Sequence, residues 1–237
     1  MHLTISGENP NTRAHHEQAY TPGGVWDQNQ GRRQTRLFAE YFHRHVKVPF
    51  SGAFTVLDVG CGLGDAVPVW HEQYPEARLS GCDVAQSAID RCVESYGTIA
   101  TFFRASFEEI GGNWDVIFCS NTLEHFEQYV EIAQLLLSHC RILYVMTPYR
   151  ETRNGQRLTP TPGQFHVVTL DKSSFSALER SGVASIETKV VRAVGAWSPD
   201  WKTELRWHAR WALGRTKDRP GRQIIYTMKN RVTARPT

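Results

Sequence analysis

A glycine-rich turn placed directly after an apolar run constrains the fold of this 237-residue chain more than any other feature. Residues 54–60 are β-branched and apolar, which predicts a buried strand. Gly60, Gly62 and Gly64 follow before a helical pattern begins at Asp65. Glycine lets the backbone approach a ligand without a Cβ clash, and the start of a helix offers unpaired N–H groups. The arrangement predicts a strand, a ligand-binding loop and a helix.

Apolar runs alternate with helical patterns along the rest of the chain, and this alternation predicts a mostly parallel sheet that is covered by helices on both faces. The predicted strands are residues 54–60, 78–84, 101–104, 114–120, 141–147, 186–194 and 223–232. The predicted helices are residues 65–74, 86–96, 129–140 and 172–181, the last one capped by Asp171. The stretches 1–36, 149–168 and 196–221 do not fit the alternation.

Composition indicates a globular protein of the cytoplasm. The five cysteines are odd in number and have no CxxC spacing, so we expect reduced core residues and no metal site. No apolar run approaches the roughly 18 residues of a membrane span, and the polar N-terminus does not resemble a secretory signal. The segment 201–237 carries ten basic and two acidic residues, a net charge of +8. Such a segment can meet anions or can simply be a solvated surface.

Two acidic residues accompany the glycine loop. Asp58 lies two residues before the first glycine, and Asp83 ends the next predicted strand, where a carboxylate can bind both hydroxyls of a ribose. A dinucleotide fingerprint would read GxGxxG, whereas this loop reads GxGxG behind an acid. An acid in front of the loop disfavours a pyrophosphate and suits a ligand with an ammonium group. S-adenosylmethionine has a ribose, an amino group and a cationic sulfonium.

With these motifs, residues 53 to 190 resemble the class I S-adenosylmethionine-dependent methyltransferases, especially the small-molecule and glycan group that includes the ubiquinone-biosynthesis type. The resemblance implies a Rossmann-like α/β fold with a seven-stranded, mostly parallel sheet, helices on both faces and an antiparallel final strand. It also implies S-adenosyl-L-methionine as the cofactor. The chain is then a single domain with an N-terminal lid at 1–36, a core at 37–195, an insertion at 196–221, and a last strand and tail at 222–237.

The resemblance also assigns cofactor contacts. Gly60, Cys61 and Gly62 would lie along the methionine and ribose part, Asp58 would support the amino group, and Asp83 would bind the ribose. Further along the chain, Val84 would pack on the adenine, and the 105–108 stretch would meet the adenine edge. Ser106 stands there where family members often carry Asp, and Phe107 offers its backbone N–H. Asn121 and Leu123 would line the cofactor after the fourth strand.

Two histidines are candidates for a general base. Methyl transfer needs alignment and exclusion of water, and a hydroxyl acceptor also needs a base, which histidine can supply near pH 7. His125 follows the fourth strand and His166 lies near the end of the irregular stretch 149–168. Either could instead be a structural histidine or a substrate contact. Trp26 in the lid and Tyr149 and Arg150 after the fifth strand are candidate substrate contacts.

Three functions remain open from the sequence. The first is O-methylation of a small molecule or sugar in a biosynthetic pathway. The second is a nucleic-acid or protein methyltransferase that uses the basic segment, although no NPPY-like motif follows the fourth strand, which disfavours nucleic acid. The third is a non-catalytic binding protein. The insertion carries Trp197, Trp201, Trp207 and Trp211 among arginines. It is interpreted as a helix packed on the sheet edge, a substrate wall, a homodimer contact, a membrane-surface anchor or an RNA-binding segment.

Overall fold

A central sheet organises the computed structural model, which describes residues 11–28, 31–159, 165–193, 201–216 and 221–231. The strands are β1 (Thr55–Val59), β2 (Arg78–Asp83), β3 (Ala100–Arg104), β4 (Trp114–Ser120), β5 (Cys140–Pro148), β6 (Thr152–Arg153), β7 (Gln156–Arg157), β8 (Ala184–Arg192) and β9 (Arg222–Asn230). The helices are α1 (Arg13–Ala19), α2 (Val25–Gln28), α3 (Gly31–His45), α4 (Val67–Gln73), α5 (Gln86–Tyr96), α6 (Tyr129–Ser138), α7 (Ser176–Arg180) and α8 (Trp201–Ala212). Short 3₁₀ turns span Phe107–Glu109 and Leu123–His125.

The main sheet has seven strands in the order β3-β2-β1-β4-β5-β9-β8, and β6 and β7 form a separate hairpin. Strands β1 to β5 are parallel to one another, and β9 runs antiparallel to both β5 and β8. This confirms the predicted Rossmann-like sheet and its antiparallel final strand. The strand order reverses beside β1, because β2 follows on one side and β4 on the other. The carboxyl ends of β1 and β4 therefore border the crevice where such sheets bind ligands.

Both faces of the sheet are buried because alternate residues of each strand point to opposite sides. Val56 and Val116 pack with α3, α4 and α5 on one face, whereas Leu57 and Ile117 pack with α6 and α7 on the other. All four side chains are at most 2% exposed. The continuous apolar runs of β1 and β4 are thus explained by burial on two sides.

The helix predicted at 172–181 is shorter than expected, since α7 begins only at Ser176. Asp171 does not cap it. Its Oδ1 accepts hydrogen bonds from the backbone N and the Oγ of Ser173, and its own N–H donates to Ser174 Oγ at 2.8 Å. Side chains that bond to their own backbone in this way favour a turn over a helix. The turn is held in place by Tyr226, whose hydroxyl donates to the Asp171 carbonyl at 2.6 Å.

The N-terminal region differs from the predicted boundary. Helix α3 runs across the expected border between residues 36 and 37, because Phe38 and Phe42, four residues apart, are both buried in the core. A Cβ at Gly31 would lie 2.3 Å from the Trp26 ring, so the start of α3 needs glycine there. Residues 1–10 and 29–30 of the predicted lid lie outside the described residues.

The N-terminal helices are fixed to the body by polar contacts. Glu17 accepts hydrogen bonds from the N–H groups of Gln86 and Ser87 at 2.8 and 3.0 Å, so it caps α5, whose own N-cap residue has no capping side chain. Arg91 donates to the Tyr20 carbonyl at 3.0 Å and pairs with Asp27 at 3.0 Å. The region is therefore a packed cover over the start of α5.

The insertion forms α8, in which Trp207 is half-buried, whereas other large side chains are more exposed than packing on the sheet edge would make them. Trp201 is 70% exposed and Trp211 is 42% exposed, and Leu205 and Leu213 are exposed as well. Trp197 lies outside the described residues.

All five cysteines are buried and form no disulfide, as predicted. Within the described ranges, no helix combines the length and the apolar character that crossing a bilayer requires.

We predict that Glu17→Ala releases α1 from α5. Losing a side-chain cap costs about 1 kcal/mol, which corresponds to about a fivefold change in a local opening equilibrium. Hydrogen exchange of residues 12–28 should accelerate by that factor while the sheet is unchanged. Arg13→Ala is the control, because Arg13 makes only a loose 3.7 Å contact with Glu17. Equal exchange in both variants would contradict the capping role.

Candidate active site

The loop after β1 requires glycine at its turning points. Gly60, Gly62 and Gly64 all have positive φ values, of +70°, +53° and +76°, in the left-handed region that side chains disfavour. A Cβ at Gly60 would lie 2.6 Å from Thr122 Oγ1. The loop therefore passes against the segment that follows β4, and the two segments share one crevice.

The Asp83 carboxylate holds this loop through hydrogen bonds from backbone N–H groups. Its Oδ2 accepts from the Gly62 N–H at 3.1 Å, and its Oδ1 accepts from the Ala85 N–H at 3.0 Å. Burial raises the pKa of Asp83 to about 6, although these N–H groups oppose the shift. Asp58 is 4% exposed, and burial together with the Asp83 charge raises its pKa to about 7. Two buried acids thus lie near one another beside the loop, where a cationic or hydrogen-bond-donating ligand would stabilise both.

Tyr20 lies over the glycine loop. It is 7% exposed and packs with Leu63, Ala85 and Ala88, and its hydroxyl would be 3.3 Å from a Cβ at Gly62. Trp26, expected at the substrate, packs edge-on against Tyr20 at 5.4 Å between ring centroids. Trp26 therefore supports Tyr20, the residue that covers the loop.

The residues predicted at the adenine lie at the adjoining strand ends. Val84 is half-buried directly after Asp83. The N–H of Ala105, after β3, donates to the Asp83 carbonyl at 3.0 Å, which places Ser106 and Phe107 beside it. The Ser106 N–H donates to Glu109 Oε2 at 2.8 Å and starts a 3₁₀ turn. Cys61 is buried at the start of the glycine loop.

The segment after β4 begins with a strained residue. Asn121 has a φ of +52°, its N–H donates to the Met146 carbonyl at 2.7 Å, and its Oδ1 accepts from Gln223 Nε2 at 3.1 Å. These bonds fix the direction in which the chain leaves the sheet. Leu123, expected at the cofactor, is fully buried in the core beside α6. Its side chain is a core residue, because the 3₁₀ turn directs it into the apolar cluster.

Glu124 is a buried carboxylate that the sequence analysis did not identify. Its side chain is 1% exposed, its Oε2 accepts from Thr147 Oγ1 at 3.1 Å, and its Oε1 has no hydrogen-bond partner. Burial raises its pKa to about 7, although His166 opposes the shift. The Glu124 carbonyl accepts from the N–H groups of Val167 and Val168 at 2.9 and 3.3 Å. Glu124 therefore holds the loop that carries His166.

The two predicted histidines lie together beside Glu124, with ring centroids 4.9 Å apart. His125 Nδ1 pairs with the Phe165 carbonyl at 2.8 Å. A carbonyl can only accept, so Nδ1 carries the hydrogen and Nε2 carries the lone pair. His166 Nδ1 pairs with the Glu151 carboxylate, and His166 Nε2 lies 4.0 Å from Glu124 Oε1.

The surroundings of the two imidazoles shift their pKa values in opposite directions. Burial, with a further effect from His166, lowers the pKa of His125 to about 3. Burial also acts to lower the pKa of His166, but the hydrogen bond and charge of Glu151, with the charge of Glu124, outweigh it and raise this pKa above its usual value. His125 is therefore a neutral imidazole, whereas His166 is the more basic of the pair.

Tyr149 and Arg150 lie next to Glu151 at the end of β5. The Tyr149 ring lies under the Arg222 guanidinium at 5.0 Å, and the Arg150 N–H donates to the Leu170 carbonyl at 2.9 Å. They border the histidine cluster.

The sequence analysis predicted no metal site, yet Glu124, His125 and His166 each place a ligand atom within 4.8 Å of the others. The sequence did not reveal this cluster because His166 comes from a distant loop.

Residues 56–143 match a family model described as a methyltransferase domain. The trans-aconitate 2-methyltransferase of Escherichia coli is 29% identical over 120 residues, which cover 44% of this chain and 42% of the relative. The malonyl-[acyl-carrier protein] O-methyltransferase of Anoxybacillus flavithermus is 22% identical over 156 residues, which cover 65% of this chain and 54% of the relative. The matched region thus spans about half the length of these curated relatives.

Solved structures share the fold at low sequence identity. A chain in the complex of the Haloferax volcanii Trm112 methyltransferase activator with a methyltransferase has a TM-score of 0.65 at 13% identity, covering 86% of this chain and 92% of that one. The magnesium protoporphyrin IX methyltransferase of Synechocystis with bound SAH has a TM-score of 0.55 at 16% identity, covering 87% of each. The [4+2]-cyclase SpnF has a TM-score of 0.57 at 14% identity, covering 84% and 81%. The fold alone therefore does not fix the reaction.

The buried acids give a testable pH dependence. The pKa of Asp58, about 7 in the folded chain, lies above its unfolded value of about 4. Folding therefore favours the protonated form, and stability falls as pH rises from about 4 through about 7. Asp58→Asn should remove this loss and stabilise the ligand-free protein at pH 8 by roughly 1–4 kcal/mol relative to pH 5. Urea unfolding at both pH values measures it, with the exposed Asp90→Asn as control. Parallel pH profiles for wild type and Asp58→Asn would contradict this account.

Several independent features coincide in the matched segment. The strand order, the glycine loop with its acid in front, and Asp83 at the end of β2 all lie in or beside the segment that the family model matches. Residues 56–143 therefore match a methyltransferase domain, and the seven-stranded sheet that they help to build is the Rossmann-like fold that solved methyltransferases share.

Proposed function

We propose that this protein transfers a methyl group from S-adenosylmethionine to an oxygen atom of a small-molecule acceptor, such as a carboxylate or a sugar hydroxyl. The observation that carries the proposal is the placement of the histidine cluster on the same crevice as the glycine loop, across the Gly60–Thr122 contact. One half of the crevice suits a cationic nucleoside and the other half suits an acceptor. The two curated relatives, whose names specify trans-aconitate and malonyl-[acyl-carrier protein], support an acceptor with a carboxylate.

The cofactor half of the site would use the two buried acids. Asp83 would bind the ribose hydroxyls, and Asp58 would stabilise the amino group near Gly60 and Gly62. The cofactor supplies an electrophilic methyl group on a sulfonium. The chain's own task is to align the acceptor oxygen with that methyl group and to exclude water. Tyr20, which covers the loop, would serve the second purpose.

The acceptor half would use His166 as the base. As the carbon–oxygen bond forms and the carbon–sulfur bond breaks, a hydroxyl proton must leave the acceptor. His166 Nε2 can take that proton because its Nδ1 is fixed by Glu151, which stabilises the charged imidazole. His125, whose pKa is lowered to about 3, would orient the acceptor by hydrogen bonding. A carboxylate acceptor would need no base and would use the same groups for positioning only.

A second candidate function is methylation of a nucleic acid or protein, favoured by α8. This helix exposes Trp201 and Leu205 and carries Lys202, Arg206 and Arg210. Such a helix fits a large anionic partner better than a small acceptor. Binding that falls steeply with salt would favour this function.

We predict that Asp83→Ala weakens binding of S-adenosylmethionine by tenfold or more, since hydrogen bonds to a charged group contribute roughly 1.5–3 kcal/mol. Isothermal titration calorimetry measures the affinity, and circular dichroism verifies that the variant folds. Asp90→Asn, on the exposed side of α5, should bind normally. NAD should not bind to the wild type. Unchanged affinity in folded Asp83→Ala, or tight NAD binding, would refute the assignment of this half of the site.

We predict that His166→Ala lowers turnover with a hydroxyl acceptor by about 10²–10⁴-fold while the affinity for the cofactor barely changes. Acceptors would be found by screening carboxylic acids, sugars and phenols for release of S-adenosylhomocysteine. Glu151→Gln should lower turnover less, because an amide can still accept from His166 Nδ1 without supplying charge. A raised Michaelis constant with intact turnover would make His166 a binding residue, and full activity in His166→Ala would exclude it as the base.

A further inference from the structure

We infer that Glu124, His125 and His166 form a binding site for one divalent transition-metal ion. Each residue offers one ligand atom, and the three atoms lie within 4.8 Å of one another. In a tetrahedral site with metal–nitrogen distances of about 2.0–2.1 Å, ligand atoms lie about 3.4 Å apart. Inward side-chain shifts of about 1 Å would therefore close the three ligands around an ion.

Hydrogen bonds at Nδ1 fix the orientation of both imidazoles in the cluster. His125 Nδ1 donates to the Phe165 carbonyl at 2.8 Å, and His166 Nδ1 pairs with the Glu151 carboxylate. Metal-binding histidines commonly hold their second nitrogen in this way, against a carbonyl or a carboxylate, because the bond fixes the tautomer and the ring orientation. Here both types of partner occur side by side.

The third ligand atom is a buried oxygen that no protein group satisfies. Glu124 is 1% exposed, and its Oε1 has no hydrogen-bond partner while Oε2 accepts from Thr147. A buried carboxylate oxygen without a partner is costly unless it binds a donor or a cation. Oε1 also faces His166 Nε2 at 4.0 Å. The unsatisfied atom therefore lies close to the nitrogen of a second candidate ligand.

The cluster is held by contacts that do not depend on the three ligand atoms. The Glu124 carbonyl binds the N–H groups of Val167 and Val168. Asn11 Nδ2 donates to the carbonyls of both His125 and Phe165 at 3.1 Å. Three separate segments of the chain are thus fixed around one point, as a preorganised site requires.

The donor set indicates the class of ion. Two imidazoles and one carboxylate suit Zn²⁺, Co²⁺, Fe²⁺ or Mn²⁺, whereas Mg²⁺ and Ca²⁺ prefer oxygen ligands. Three protein ligands leave a position open, as in catalytic rather than structural zinc sites. The use of that position rests on the proposed function: an acceptor oxygen bound there would lose its proton more easily. The ion would then replace the His166 imidazole as the group that activates the acceptor.

Direct metal binding tests the site without relying on activity. The untagged, chelator-treated chain would be titrated with Co²⁺, whose visible spectrum reports nitrogen and oxygen ligands, and then with Zn²⁺ under calorimetry. We expect one ion per chain. His125→Ala, His166→Ala and Glu124→Gln should each weaken binding more than tenfold, and Glu151→Gln should weaken it about 10–100-fold.

The matched control is His139→Ala, because His139 Nδ1 also pairs with a carbonyl, that of Gly112 at 3.2 Å, but outside the cluster. It should bind metal like the wild type. No binding, or binding that the three ligand variants leave unchanged, overturns the site. Methyl transfer that persists after chelation in a metal-binding chain overturns only the ion's role in activating the acceptor. Metal binding in a chain that transfers no methyl group supports the site and refutes the proposed function.

Discussion

The whole site depends on how closely the loop after β1 approaches the segment after β4. A side chain at Gly60 would collide with Thr122, so only glycine lets the two strand ends share one crevice. That contact brings the Asp83–Gly62 hydrogen bond to one side and the turn at Leu123–His125 to the other. Moving either strand end would separate the groups suited to a nucleoside from those suited to an acceptor.

The same crevice concentrates buried negative charge. Asp58, Asp83 and Glu124 are each at most 6% exposed, and burial raises the pKa of all three. Such an arrangement costs stability when no ligand is bound, because carboxylates lose hydration without full compensation. It is explained if cationic or hydrogen-bond-donating ligands complete the site. The buried carboxylates lower the stability of the ligand-free protein, and a ligand with matching charge would bind more strongly because it relieves this cost.

Much of the fold follows from local pattern, and most of the histidine cluster does not. The helix α5 and the strand β4 have the bounds that periodicity and turn residues predict, since each has one strong apolar pattern and a clear stop. A turn follows Asp171 where the start of a helix was predicted, because side-chain hydrogen bonds outweigh the helix propensity of this stretch. The cluster could not be derived, since His125 and Phe165 are 40 residues apart and meet because the Glu124 carbonyl holds the loop at Val167 and Val168 against the 3₁₀ turn. Burial of Glu124 is a tertiary effect that no local pattern contains.

The N-terminal helices connect the two halves of the crevice. Glu17 and Tyr20 hold the side of the glycine loop and α5, whereas Asn11 holds the carbonyls of His125 and Phe165, and the His15 ring contacts the Phe165 ring at 5.1 Å. One continuous segment therefore covers both the region suited to the cofactor and the region suited to the acceptor. Releasing it at either end weakens its hold on the other, because a single short helix, α1, spans the two sets of contacts. Under the proposed function, entry of an acceptor and retention of the cofactor would be coupled through the same cover.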